Sequence, residues 1–357
     1  MIDSRQVTVV YQGHIDVSKL GSGDSKGADF LYNVATVRQH LPNATIILST
    51  WDNIVLPKAY DTPAKLGIDA LVLSQDVSPL PNIKFNNLPA NNCNRQLVSA
   101  VAGLKKTTTK YALKLRTDSF LTSDGFMRYF ADYETKIHAL GHKDYSPIVA
   151  CCYFTIDPDV YEHMAFHISD WTHFGETQTL LRYWDIAPID EAMATYYERH
   201  PHRFTANFFD KQFRAKIAVE QYLTTTYAKR FHYATPTLHN ELNSKILFDF
   251  EVFLARQIIL LDLAQFGVDM PKYNWVKNSD FINMAVIKHA DWYGRFVDYW
   301  HLSADKSLYG QYKQRKHQKL ASKWVAKLTD PIAGYWWHHP KNKKIMRATE
   351  KLIKKIP

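Results

Sequence analysis

The sequence predicts an α/β fold, a mostly parallel, doubly wound sheet with a helical C-terminal extension. Three observations carry this expectation. Short apolar, β-branched runs alternate with stretches of helical spacing along residues 7–116. Each of those runs closes on polar residues, as strands do where an open α/β sheet meets its ligand. Basic charge is concentrated at the C-terminal end, where apolar and basic residues recur at helical spacing.

The first element is Val7-Thr-Val-Val-Tyr11, a buried strand ending at Gln12-Gly13. A polar loop, Leu20 to Gly27, leads into a helix over 28–41. Its apolar positions are 30, 31, 34, 37 and 41, and Pro42 stops it. Residues 44–48 form a second strand ending in Ser49-Thr50-Trp51-Asp52. Residues 69–73 form a third, ending in Ser74-Gln75-Asp76. A helix over 94–106 places Leu97, Val98, Val101 and Leu104 on one face. Residues 110–115 form a fourth strand, ending in Arg116-Thr-Asp-Ser119. Farther on, 147–154 reads as a buried strand, and 176–185, 188–199, 211–229 and 248–263 read as helices. Helices are also expected over 316–328 and 343–356, separated by a break at Pro331-Ile-Ala-Gly334.

Composition excludes several classes. With 46% hydrophobic and 14% aromatic residues among 357, the chain has material for a large core, and dominant disorder is ruled out. No apolar run approaches the roughly 18–20 residues of a membrane-spanning helix. Met1-Ile-Asp-Ser-Arg5 leads into the first strand without the regions of a secretory signal, so a cytoplasmic location is expected. Three cysteines, Cys93, Cys151 and Cys152, are an odd number with two adjacent, which fits buried free thiols rather than a disulfide framework or a cysteine zinc site. The net charge of +9 is uneven: residues 306–357 hold 14 Lys/Arg and 2 Asp/Glu, while the rest holds 30 and 33. A nearly neutral body with a basic appendage argues against a non-enzymatic nucleic-acid-binding protein.

The strand ends gather the candidate ligand residues: Gln12 and Gly13, Thr50 and Trp51, Asp76, and Arg116 with Asp118. There is no Walker A pattern, and Gly21-Ser-Gly23 lacks the third glycine of a dinucleotide fingerprint. Phosphate is then left to a divalent metal on a carboxylate, Mn or Mg, and to Arg95 or Arg116. Arg95 stands at the start of the second helix, where backbone N–H groups favour an anion.

Lys114-Leu-Arg-Thr-Asp-Ser119 resembles the metal-binding corner of GT-A glycosyltransferases, with Arg116 standing where the first acid of their Asp-x-Asp pattern would be. That departure leaves Asp118 as the metal ligand of this corner and gives Arg116 a share of the leaving-group charge. Four stretches are more specific. Ile47-Leu-Ser-Thr-Trp-Asp52, Asn92-Cys-Asn-Arg-Gln-Leu97, Tyr111-Ala-Leu-Lys-Leu-Arg-Thr-Asp118 and His167-Ile-Ser-Asp-Trp-Thr-His-Phe-Gly175 resemble the WavE lipopolysaccharide-synthesis family. Glu220-Gln-Tyr-Leu223 and Glu251-Val-Phe-Leu-Ala255 fit as well, so the resemblance spans about residues 5–275. It implies a GT-A-like glycosyltransferase of bacterial surface polysaccharide, with a catalytic domain over 1–275. Its nucleotide-binding part is about 1–125 and its acceptor part about 126–275, and 276–357 is the basic helical region.

The expected reaction moves a sugar from a nucleotide-sugar donor, UDP-sugar favoured, to a lipopolysaccharide or capsule saccharide. The alternative is a nucleotidyl- or sugar-phosphate transferase. Transfer needs a base for the acceptor hydroxyl, and Asp170 and Glu220 are the candidates, with Trp171 as a sugar-stacking ring. Asp170 lies in a polar, aromatic stretch before a helix; Glu220 is placed mid-helix among apolar residues. His239 is the candidate late metal or phosphate ligand. At the C-terminal end, Lys316, Lys319, Lys323 and Lys327 are expected to line a basic face opposite Leu320, Trp324 and Leu328, suited to an anionic membrane surface. A lipid-linked acceptor and a peripheral position on the inner membrane follow from that expectation.

Overall fold

The computed structural model describes residues 2–24, 27–85, 91–160, 162–277, 279 and 284–337, with the backbone alone at 322 and 324–337. Seven strands make the central sheet: β1 (Val7–Gln12), β2 (Thr45–Trp51), β3 (Ala70–Ser74), β4 (Tyr111–Arg116), β6 (Ile148–Cys151), β7 (His173–Glu176) and β8 (Ile258–Leu261). A two-residue strand, β5 (Phe120–Leu121), pairs instead with β9 (Val268–Asp269). The sheet order is β3-β2-β1-β4-β7-β6-β8. β1, β2, β3 and β4 are parallel, β6 and β8 are parallel, and β7 runs antiparallel to both its neighbours. The mostly parallel α/β sheet expected from the sequence is therefore observed.

Local sequence explains the first half. All six residues of β1 are buried, which a β-branched strand in the middle of a covered sheet requires. Helix α1 (Phe30–His40) starts where Asp29 accepts the Leu31 amide at 3.0 Å. The other bonds of Asp29, from Gly21 and Gly23 N–H, tie the preceding loop to the helix. Helix α2 (Cys93–Lys105) lies on β1 and β2. Gly103 permits that approach, since a Cβ there would stand 2.4 Å from the Val10 side chain. All three cysteines are free and buried, as expected.

The second half departs from expectation. Helix α3 (Gly125–Ala139) and strand β7 add to the expected elements: α3 buries Phe126, Met127, Phe130, Tyr133 and Ile137 at helical spacing, while β7 has only four residues. The strand expected over 147–154 ends at Cys151, and the chain turns away through Phe154 at φ 63°. Helix α4 (Thr177–Trp184) matches the reading of 176–185. The helix expected over 188–199 is only α5 (Glu191–Ala194) and one 3₁₀ turn, and the one over 211–229 begins at α6 (Val219–Lys229). The helix expected over 248–263 is α7 (Ser244–Gln257) followed by β8, because Ile258-Ile-Leu-Leu261 is a fully buried run without helical periodicity of its own. α8 (Leu263–Phe266) and α9 (Asn274–Lys277) are single turns, and α10 (His289–Trp300) packs on α7 and β8.

Helix α11 (Lys306–Trp337) overturns two expectations. It runs unbroken through Pro331, and residues 343–356 lie outside the described residues. Its orientation is also reversed in part: Lys319 is buried at 9% exposure, while Leu320 is 54% exposed. Lys319 Nζ donates to Asp157 Oδ2 at 2.7 Å, Asp291 Oδ2 at 2.9 Å and the Val286 carbonyl at 2.8 Å. Arg315 bonds both oxygens of Asp291, and Lys323 bonds Asp159. Lys319 and Lys323 thus do not line a free basic face; an acidic cluster on the body attracts this stripe inward. Among the described residues no helix is long and apolar enough to cross a membrane.

Candidate active site

Register brings the C-terminal ends of the parallel strands to one edge. Gln12 is level with Ser49 and Arg116, and Trp51 with Ser74. Gly13 leaves β1 at φ 117° and donates to the Ser49 carbonyl. Gln12 Oε1 and Thr50 Oγ1 are buried polar atoms without a hydrogen-bond partner. Such atoms in a site suit ligand recognition. Trp51 is buried beside them.

Arg95 and Asp76, both expected to face the donor, face each other instead. Arg95 Nε and Nη2 bond the two Asp76 oxygens at 2.8 Å each, and Nε also bonds the Val77 carbonyl. A guanidinium so occupied ties the loop after β3 to α2.

At the end of β4, Arg116 and Asp118 form a similar two-point pair, at 2.8 and 2.7 Å. Lys272 Nζ stands 3.6 Å from Asp118 Oδ2. Burial opposes the Asp118 charge, but Arg116 outweighs it and holds the carboxyl below its ordinary range. Tyr273 lies over the Arg116 guanidinium, 5.5 Å from ring centroid to Cζ. The same ring covers Trp171 at 4.0 Å, and Phe154 stands 5.1 Å from Trp171 on centroids. Trp171 is 5% exposed and so is not open to stack on a sugar as expected; Tyr273, half-buried, covers it.

The two candidate bases come together. Asp170 and Glu220 are electrostatic neighbours, and both act on Tyr273 and Cys93. Glu220 lies in the first turn of α6 rather than mid-helix, because the helix starts at Val219. Burial raises its carboxyl; the His167 ring, with Nε2 at 3.4 Å, works against that shift and Asp170 adds to it. His167 Nδ1 donates to the Phe154 carbonyl at 2.8 Å, which orients the ring.

His239 stands elsewhere. Its ring is fully buried, stacked on Phe213 at 4.2 Å and edge-on to Tyr197 at 5.3 Å. Burial lowers it to about 4, so it is neutral at physiological pH. Among the described residues no three His, Cys, Asp or Glu side chains converge as a metal group. Asp118 and His239 therefore do not make the expected ligand pair, and both Asp118 oxygens already face Arg116. The donor set at this corner does not fit a divalent cation, and the fixed cations beside the carboxylate are Arg116 and Lys272.

Sequence reasoning missed Lys114, His167, His173, Lys272 and Tyr273. Only Lys114 left a usable signal, a lysine inside the apolar strand 111–115.

A profile of the WavE lipopolysaccharide synthesis family matches residues 7–328. The chain belongs to the WavE family. Its membership covers the whole sheet, the carboxylate pair and most of α11. Comparison with curated proteins returns no match for this WavE chain. Among solved structures it is similar to a cytidylyltransferase from Leptospira borgpetersenii serovar Hardjo-bovis, at 13% identity and TM-score 0.30, over 70% of this chain and 93% of that one. It is also similar to S. aureus TarS 1–349, at 10% identity and TM-score 0.31, over 89% and 79%. The same TarS segment in complex with UDP gives 9% identity and TM-score 0.32, over 88% and 79%.

Proposed function

We propose that this WavE protein is a glycosyltransferase that moves a sugar from a nucleotide-sugar donor, with a UDP-sugar favoured, to a lipopolysaccharide or capsule saccharide. The observation that carries the reading is one juxtaposition. The Arg116–Asp118 pair closes β4 with Tyr273 over its guanidinium, and Asp170 and Glu220 lie within electrostatic reach of the same tyrosine. Cations for a diphosphate and carboxylates for an acceptor hydroxyl are then gathered near one aromatic ring.

Gln12, Gly13, Thr50 and Trp51 take the nucleoside, with the unpartnered Gln12 and Thr50 oxygens reading its polar edge. Arg116 and Lys272 take the diphosphate charge. Arg95 and Asp76 shape the rim as a pair. Asp170 accepts the acceptor hydroxyl proton as that oxygen bonds the sugar carbon. The bond from that carbon to the donor phosphate breaks, and the nucleoside diphosphate leaves with the electron pair toward Arg116. Burial raises the Glu220 carboxyl and so disfavours a second negative charge beside the base. Transfer to a lipid-linked acceptor places the protein at an anionic membrane face, approached by the outward lysines of α11, Lys306, Lys313 and Lys316, and by Leu320.

A thermal-shift screen of nucleotides and nucleotide sugars tests the reading, since a ligand that binds the folded state raises its melting temperature. Stabilisation by a nucleoside diphosphate and its sugar conjugate is expected. No response to any nucleotide overturns it, and a phosphodiester product moves the chemistry to nucleotidyl or sugar-phosphate transfer.

A further inference from the structure

Lys114 is fully buried in the middle of the sheet and makes no salt bridge among the described residues. A buried ammonium without an ionic partner is costly to keep, and an apolar side chain would fill the same space more stably. Its surroundings show what it holds. Nζ donates to the Asp170 carbonyl at 2.6 Å and stands 4.4 Å from the centroid of the Trp184 ring on α4. Gln96 of α2 reaches the same carbonyl at 3.5 Å.

The neighbouring strand completes the clamp. His173 is the register partner of Lys114, and its Nε2 donates to the Ser169 carbonyl at 2.9 Å. Its Nδ1 accepts the Trp184 indole N–H at 3.1 Å, which fixes the ring and its tautomer. Adjacent residues of two paired strands therefore hold two consecutive carbonyls, Ser169 and Asp170. The Ser169 amide is held as well, by Thr155 Oγ1 at 3.0 Å.

We propose that Lys114 is a positioning residue: together with His173 it clamps the consecutive Ser169 and Asp170 carbonyls and so fixes where the Asp170 side chain enters the site. The proposal rests on the reading of Asp170 as the base and goes beyond it by naming what holds that base in place. The ionisable groups facing Lys114 are Asp170 from its loop, Arg116 and Asp118 along β4, Cys151 from β6 and His173 from β7. Burial pulls the lysine down to about 7, with Asp170 opposing and Arg116 adding to the shift. Burial, reinforced by the Lys114 charge, keeps His173 neutral, at about 3.

The test follows the Asp170 backbone carbonyl in the full chain carrying ¹³C-labelled aspartate. Asp170→Asn identifies the signal, which is then compared in the wild type, Lys114→Met and Lys114→Arg. In K114M the carbonyl signal is expected to move as its ammonium partner is lost, and in K114R to stay near the wild type. An unchanged signal in a K114M protein that still melts cooperatively overturns the proposal. If K114M does not fold, His173→Phe, which removes the N–H held on the Ser169 carbonyl, is read the same way, and an unchanged Asp170 signal there overturns it. With a sugar donor in hand, K114M is expected to lower kcat by about tenfold or more while donor KM stays within about twofold, and K114R to recover most of that loss. A failed nucleotide screen removes the assigned reaction but leaves the carbonyl signal to decide the lysine's role.

Discussion

Arg116 grips Asp118 through two parallel hydrogen bonds, Nε to Oδ1 at 2.8 Å and Nη2 to Oδ2 at 2.7 Å. A guanidinium thus stands where a phosphate-binding corner built on carboxylates would place a metal ion. Nucleotide stabilisation is accordingly expected to be the same in manganese and in EDTA. Arg116→Met is expected to lower kcat by about 10²–10³, the scale of losing one preorganised donor to a developing charge. A stabilisation that appears only with manganese would refute this assignment.

Asp170 and Glu220 are expected to respond differently. Asp170→Asn removes the base and is expected to cost about 10²–10⁴ in kcat without weakening nucleotide stabilisation. Glu220→Gln fixes the side chain in the uncharged form that burial favours and is expected to retain most of the rate seen at the acid end of the wild-type profile. Burial raises the Glu220 carboxyl, so it is protonated below its folded value and gains charge as pH rises through it. The wild-type rate is expected to fall on that alkaline side and the E220Q rate to stay level. Parallel pH profiles would remove Glu220 from the site.

Lys319 joins the C-terminal helix to two buried acids. Burial opposes the charges of Asp157 and Asp291, but Lys319 outweighs it, with help from Arg295 and Arg315 respectively, and both carboxyls lie below the ordinary range. Their contribution to stability is complete above the unfolded carboxylate value, about pH 4. It is lost as pH falls through the lower folded values. Lys319→Met removes the cation shared by both acids while Arg315 still holds Asp291 and Arg295 stands 3.6 Å from Asp157, and it is expected to cost about 3 kcal/mol, read from urea unfolding at neutral pH. Lys319→Met with Asp291→Asn is expected to recover part of that loss. A single variant as stable as the wild type would show that the network holds nothing.

Membrane attachment is best tested on the outward lysines. Cutting the chain at 305 also removes Arg315 and Lys319, so that truncation would disturb the body as well as the surface. Lys313→Glu with Lys316→Glu leaves those pairs intact. The wild type is expected to float with vesicles containing phosphatidylglycerol and not with phosphatidylcholine alone, and the double variant to float less. Equal flotation of the two proteins sinks the attachment.

The polar strand ends were legible because each of the first four strands is short, mostly apolar and closed by a polar group at Gln12, Thr50, Ser74 or Arg116. The helices α1 and α2 were legible from spacing and from their end signals. Beyond residue 120 the signal weakens. β8 continues the apolar run of α7 without a break in composition, and β7 is four residues long, with partners set by β4 and β6. Pairing of that kind depends on distant chain, which no local window contains.

By itself the sequence determined the α/β class, the order of the first four strands, the free cysteines and the split between a near-neutral body and a basic end. Each depends on composition or on short-range periodicity. Tertiary structure alone decided which charges meet. Arg95 and Asp76, both legible as donor ligands, neutralise each other across 19 residues of chain. Lys319, legible as a lipid-facing charge, is buried against an acid 162 residues away. Arg116 takes Asp118, while Asp170 and Glu220 come within electrostatic reach of each other. Coulomb attraction strengthens as groups leave water, so partnership depends on burial and on distance in space. The fold supplies both.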